Sequence, residues 1–173
     1  MMSVSNPLIL TIVYWLHLMA TVVWIGGIIS MAIIFLPSVQ KTLENSQKSV
    51  LYAEIQRRFQ PLGWLSLIVL AGTGMIQMGA NSAYQGFLNI NNSWAVALFS
   101  KHIAIILLVI LMGIMTWGVL PALKRISLRQ SLGKAIDEKE QKKYGRMEKQ
   151  LLNGTLVLSV IILLLTAWAR SAS

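Results

Sequence analysis

His17 and His102 are the two histidines of this 173-residue chain. Each interrupts an apolar stretch, WLHLMATVVWIGG at 15–27 and FSKHIAIILLVILMG at 99–113. An imidazole held away from water needs a use for both ring nitrogens, and a bond from the unprotonated one to a metal is such a use. Two imidazoles approaching from opposite sides supply the axial ligands of a b-type haem iron. The alternative for each ring is a hydrogen bond across helices. Met75 and Met78 form an MxxM pair whose thioethers, with imidazole, suit copper(I). The same two residues also serve as apolar packing. Met112 and Met115 repeat that spacing further from the histidines and read as packing. Lys101 adjoins His102, so about 100° separates the two side chains on a helix and both cannot aim at one axis. Lys101 either snorkels to an interface or meets a haem propionate or an anionic substrate. Arg170 is a second candidate propionate partner, or an interfacial anchor. Trp24, one heptad from His17 on the same face, is a candidate wall for the cofactor pocket.

The elements that position these residues are set by composition. The chain is 55% hydrophobic and 12% charged, against about 25% charged in an ordinary soluble domain. Four apolar runs, about 8–36, 61–80, 94–120 and 151–169, are long enough to cross a bilayer. The reading is an all-α fold: an integral membrane four-helix bundle, one transmembrane domain over 1–173. The net charge of +9 does not point to nucleic acid, because the basic residues lie in two blocks between apolar runs. The connection 37–60 holds Lys41, Lys48, Arg57 and Arg58 against Glu44 and Glu54, and 121–150 is more basic still. By the positive-inside rule both are cytoplasmic, which gives an N-out/C-out, up-down topology in a bacterial inner membrane, with the lipid bilayer as first partner.

Several chemistries are excluded or left without support. Cysteine is absent, which removes disulfides and thiolate metal sites. All six acids lie in the two basic connections, so no carboxylate relay crosses the apolar runs. No nucleotide loop and no nucleophile with an adjacent base is visible. The opening MMSVSNP lacks the basic start of a cleavable signal, and the first run reads as a retained span. In SVLYAEIQRRF, Leu51, Tyr52, Ile55 and Phe59 recur at helical spacing with Ser49 as N-cap, an amphipathic turn before Pro61 opens the second span. Glu138 and Lys142 support an extension of the fourth span beyond the membrane. Trp94 and Trp168 suit the outer interface, and Trp64 and Trp117 the inner one.

The two histidines also share a register. His17 precedes Leu36-Pro37 and His102 precedes Leu120-Pro121, each Pro opening a basic connection. The pattern suggests two related helical hairpins. His17 and His102 each lie about 12–14 Å from the start of their apolar runs at 1.5 Å per residue. In a four-helix bundle the first and third helices are diagonal, so the two rings are expected to face each other at one depth.

WLHLMATVVWIGGIISMAIIFLP resembles the first-helix motif of the copper resistance protein D (CopD) family: His, small residues, Trp-x-Gly-Gly, then a closing Pro. RRFQPLGWLSLIVLAGTGM resembles that family's next element, an Arg-Phe approach to a helix ending in Thr-Gly, and FSKHIAIILLVILMG its Lys-bearing third helix. The likeness covers about residues 8–120 and implies copper handling through His17, Met75, Met78 and His102. The same layout is similar to the HemJ-type protoporphyrinogen oxidases, haem-associated four-helix membrane proteins in which a first-helix His and a third-helix Lys matter. His17 and Lys101 occupy those positions. The leading expectation is haem b between His17 and His102, passing electrons to or from a quinone, a periplasmic carrier or a larger redox complex. Copper transport or resistance, a porphyrin-oxidising enzyme and a purely structural subunit are the alternatives.

Overall fold

A computed structural model of the protein describes residues 6–35, 37–38, 45–81, 93–135 and 137–171. The charge-free connection expected after Asn81 and the stretch holding Lys41 and Glu44 lie outside the described residues. Every regular element within them is helical. Helix α1 covers Pro7–Ile29 and widens into a π-helical segment, Ser30–Phe35. Helix α2 covers Asn45–Gly79. Helix α3, Ser93–Gly113, widens into a second π-helical segment, Ile114–Val119, and leads without a break into α4, Leu120–Ser131. Helix α5 covers Glu138–Ser171. Four segments within them are long and apolar enough to cross a membrane: Pro7–Phe35, Glu54–Gly79, Ser93–Gln130 and Glu138–Ser171.

Local chemistry sets these boundaries. Asn6 caps α1, its Oδ1 accepting from the Leu8 amide at 3.0 Å, and Pro7 stands where a missing N–H costs nothing. Both π-helical segments end two residues before a proline, Pro37 or Pro121. A proline removes one amide from the ladder and crowds the carbonyl four residues back. Before Pro121 the ladder lengthens by one residue, and the Leu120 amide reaches the Met115 carbonyl. The sequence reading starts the second span at Pro61; instead Pro61 lies inside α2, and Ser49 sits within that helix rather than at its cap. Only the Arg57 carbonyl loses its usual donor there, a loss apolar helices tolerate. Gly133, with φ of +63°, ends α4: the Gly133 amide bonds Gln130 O and the Lys134 amide bonds Arg129 O at 3.1 Å each. Asp137 then caps α5 through the Lys139 amide at 2.8 Å, and Glu138 extends the helix well before residue 151, as its pairing with Lys142 suggested.

The helices pack as two pairs, α1 on α2 and α3 on α5. Along the first pair His17 meets Gly74 and Gly27 meets Phe59. Along the second Ala97 and Trp94 cluster with Ala169, and Leu111 meets Gly154. In both, residue numbers rise on one helix as they fall on the other. Helices α1 and α3, which carry the histidines, make no extensive contact, the relation expected of diagonal members of a bundle. Many of the residues between the helices are small or hydroxyl-bearing, Ala20, Ala97, Ala104, Ala122, Ser66, Thr73, Thr155 and Ser159, packed beside larger buried ones such as Trp24, Trp94, Leu108 and Met115. Large apolar side chains point out, Ile68 and Leu164 each 66% exposed. Small residues inside and oily ones outside is the packing of helices whose solvent is lipid.

Hydrogen bonds tie the pairs together. The Trp24 Nε1–H donates to Ser159 Oγ at 3.1 Å, joining α1 to α5. The Trp64 Nε1–H donates to Thr116 Oγ1 at 3.1 Å, joining α2 to the second π-helical segment. Trp64 also lies against Trp117, ring centroids 5.5 Å apart. Replacing Ser159 with Ala leaves the buried Trp24 N–H without its acceptor and is expected to destabilise the folded protein by about 1 kcal/mol in unfolding measurements in detergent. A variant as stable as the parent would show that this bond does not hold the pairs together.

Candidate functional site

His17 is the best-anchored of the candidate ligands. Its ring is half-buried on the face of α1 that meets α2. Gly74 makes room for it: a Cβ there would lie 3.7 Å from His17 Cε1. Nδ1 lies 2.8 Å from Thr73 Oγ1. The Thr73 hydroxyl has one proton and gives it to the Val69 carbonyl at 2.6 Å. Thr73 therefore accepts, and His17 Nδ1 donates. Nε2 is left with its lone pair and, among the described residues, with no hydrogen-bond donor. A histidine whose Nδ1–H is held by a neighbour and whose Nε2 is open is oriented as metal-ligating histidines are, the held proton fixing the tautomer and the ring.

Lys101 comes from the other helix pair, half-buried in the middle of α3. It lies within electrostatic reach of His17. The six acids of the chain are Glu44, Glu54, Asp137, Glu138, Glu140 and Glu148, all remote in sequence from the segments that surround His17. Among the described residues Lys101 forms no ion pair. Lys101 and His17 thus lie within electrostatic reach of each other in an apolar setting, and among the described residues no carboxylate pairs with Lys101. An ammonium withdrawn from water calls for an anion.

His102 is half-buried one position along α3, and its Nδ1–H donates to the Leu98 carbonyl of its own helix at 2.7 Å. That bond again puts the proton of the neutral ring on Nδ1 and the lone pair on Nε2. The side-chain bonds of the two histidines thus both run through Nδ1, and a neutral imidazole so bonded has its lone pair on Nε2, the atom by which such a ring ligates a metal. The groups that the described contacts draw together directly are His17, Thr73 and Gly74, with Lys101 within electrostatic reach; His102 joins them through none of these contacts.

The remaining candidates fall elsewhere. Trp24 is buried, 6% exposed, and lines a cavity nearer the basic end together with Phe59, Gln60 and Met112. Neither histidine lines that cavity. The Arg170 guanidinium lies over the Tyr14 ring, 5.8 Å from its centroid, linking the end of α5 to α1. Met75 and Met78 part company: Met75 is 62% exposed, while Met78 packs against the Trp94, Ala97 and Ala169 cluster. Among the described residues no group of three or more His, Cys, Asp or Glu side chains gathers in metal-binding range.

Thr73 and Glu148 do not stand out in the sequence reading. The signal for Thr73 is its place in AGTGM, a lone hydroxyl next to a glycine in an apolar run. Glu148 counts by position among the acids of the basic connection, yet it is buried, 6% exposed, and its Oε1 has no hydrogen-bond partner. Its signal is the stripe Glu148, Leu152, Thr155, Ser159 along one face of α5. Comparison with known protein families, curated proteins and solved structures finds no match.

Replacing Thr73 with Val keeps the shape of the side chain and removes the acceptor for His17 Nδ1–H. The expected loss is about 1–3 kcal/mol of unfolding free energy, the cost of an unsatisfied buried donor, while Thr73→Ser keeps the parental value. Equal stability of Val and Ser variants would show that the His17–Thr73 bond is not formed.

Proposed function

We propose that this chain is a multi-pass protein of a bacterial cytoplasmic membrane that holds haem b near the outer face and moves single electrons. All Lys and Arg residues except Lys101 and Arg170 lie in the two connections at one end of the bundle. By the positive-inside rule that end faces the cytoplasm, both termini face out and the helices run up and down. His17 and His102 then sit toward the outer surface, as their distance from the starts of α1 and α3 requires.

The single observation that carries the haem reading is Lys101: an amine within electrostatic reach of an imidazole whose Nε2 meets no donor among the described residues, and itself without an ion pair among them. Haem answers both halves of that arrangement, taking nitrogen at iron and offering propionates to an ammonium. A copper ion answers only one half, because its own charge is repelled by Lys101. The bonds of Nδ1 to Thr73 and to Leu98 O suit the tautomers in which His17 and His102 would hold a haem iron through Nε2. Arg170, at the outer end of α5, supplies a second positive charge for the propionate edge. When bound, the group supplies a reversible one-electron couple; the chain binds it, orients the rings and excludes water. Electrons pass to or from a quinone, a periplasmic carrier or a larger redox complex.

The nearness of Lys101 to His17 favours one further reading. These are the two positions that the likeness to HemJ-type protoporphyrinogen oxidases marks out, and a porphyrin substrate carries the same propionates. Replacing Lys101 with Met separates the two: a carrier keeps electron transfer with an altered spectrum or potential, whereas an oxidase loses porphyrin oxidation while its haem remains.

The purified protein is expected to show the reduced-minus-oxidised spectrum of six-coordinate haem b, and His17→Ala and His102→Ala are each expected to lower haem content at least about tenfold. A spectrum unchanged by His102→Ala would rule out paired ligation. A wild-type protein with copper and no iron would replace the haem reading with copper handling.

A further inference from the structure

Neither histidine lines the cavity around Trp24, and its chemistry is specific. It measures about 100 Å³, and its walls include Met31, Trp24, Phe59, Gln60, Met112 and Met115. An engineered apolar cavity of about 150 Å³ takes up benzene, so this space has the size of one ring. Trp24 and Phe59 offer flat aromatic surfaces, and the thioethers conform to what lies against them. Two glycines keep it open: a Cβ on Gly63 would approach Met112 Cε and Trp24 Cζ3 at 3.3 Å each, and one on Gly27 would meet Phe59 at 3.5 Å.

Polarity narrows the occupant further. No charged side chain lines the cavity. Arg57 and Arg58, the cations nearest in sequence, are held by Glu54 at 2.8 and 2.9 Å. A phospholipid phosphate therefore finds no partner there. Three polar side chains stand at the wall, Gln56, Gln60 and Thr116; the Thr116 hydroxyl accepts from the Trp64 indole at 3.1 Å, whereas Gln60 Nε2 is buried with no hydrogen-bond partner among the described residues. A buried amide donor without an acceptor is a place for a carbonyl oxygen. Val23 and Leu62 belong to the lining and are also exposed on the surface of the bundle. The ring-sized space is thus reached past apolar side chains that face lipid.

We propose that this cavity binds the ring of a quinone dissolved in the membrane. Gln60 Nε2–H donates to one quinone carbonyl, the ring lies against Trp24 and Phe59, and the apolar tail leaves past Val23 and Leu62 into the bilayer. The carboxamide serves both oxidation states of such a ligand, since its N–H suits a quinone carbonyl and its Oε1 accepts from a quinol hydroxyl. Binding at this site does not depend on haem; only the quinone's use as an electron partner rests on the haem reading.

The test uses the full-length protein in phosphatidylcholine nanodiscs and an azido-benzoquinone with a decyl tail, with photolabelled residues located by mass spectrometry. Saturable labelling of the segments that hold Trp24, Phe59 or Met112 is expected. Excess unlabelled decyl-benzoquinone should suppress it and decylbenzene should not. Gln60→Met keeps the length of the side chain without the donor and is expected to weaken labelling about tenfold. Gly27→Leu, which fills the space from α1, is expected to abolish it. Labelling confined to lipid-facing positions such as Ile33 would overturn the proposal, as would full labelling in both folded variants. Equal competition by decylbenzene on the wild-type protein, a result that depends on no variant, would overturn it as well. None of these readouts uses the haem spectrum, so a failure here and a failure of the haem reading are told apart.

Discussion

The organising constraint in this structure is a positive charge with no negative one to meet it. Lys101 sits in the middle of an apolar helix, reaches the neighbourhood of His17, and has no acid in the surrounding segments. An amine in such a place is expensive unless an anion joins it. The neighbouring histidine adds the second half of the demand, because Thr73 uses its Nδ1–H and leaves Nε2 to find a partner. A ligand that is at once an electrophile for nitrogen and an anion for ammonium satisfies both at a single site.

The rest of the fold follows from keeping that end of the bundle dry while joining two helix pairs. Small and hydroxyl-bearing residues let the helices approach, and their hydroxyls are spent on backbone carbonyls one turn back, as in Thr155 to Leu151 and Ser159 to Thr155. The two indole bonds, from Trp24 and from Trp64, cross between pairs. Between them the pairs do not close completely, and the ring-sized cavity is what remains. Gly63 and Gly27 maintain it, and the buried Gln60 amide is one of the polar groups on its wall.

The four apolar segments were readable because their lengths and compositions admit few alternatives. The histidine-to-proline register was readable too, and it marks a feature that spacing alone does not name: each proline follows a π-helical segment, Ser30–Phe35 or Ile114–Val119. Pro61 misled in the opposite direction. It looks like a helix start, yet α2 runs through it, because one missing amide does not outweigh the helical residues on both sides. The candidate ligand types were legible in the sequence, and the groups that hold them were not. Periodicity shows that His17 and Lys101 lie in apolar helices, but only the packing of α1 on α2 reveals Thr73 as the partner that sets the tautomer. Burial of Glu148 was hidden by its basic neighbours, since charge in sequence says nothing of which face a residue occupies.

The most direct measurement is native mass spectrometry of the intact protein released from membranes without added cofactor. The account predicts one haem b per chain in the wild-type protein, lost when Lys101 is replaced by Glu and His17 by Ala together. A wild-type chain that carries no adduct, or that carries only a metal ion, would contradict it.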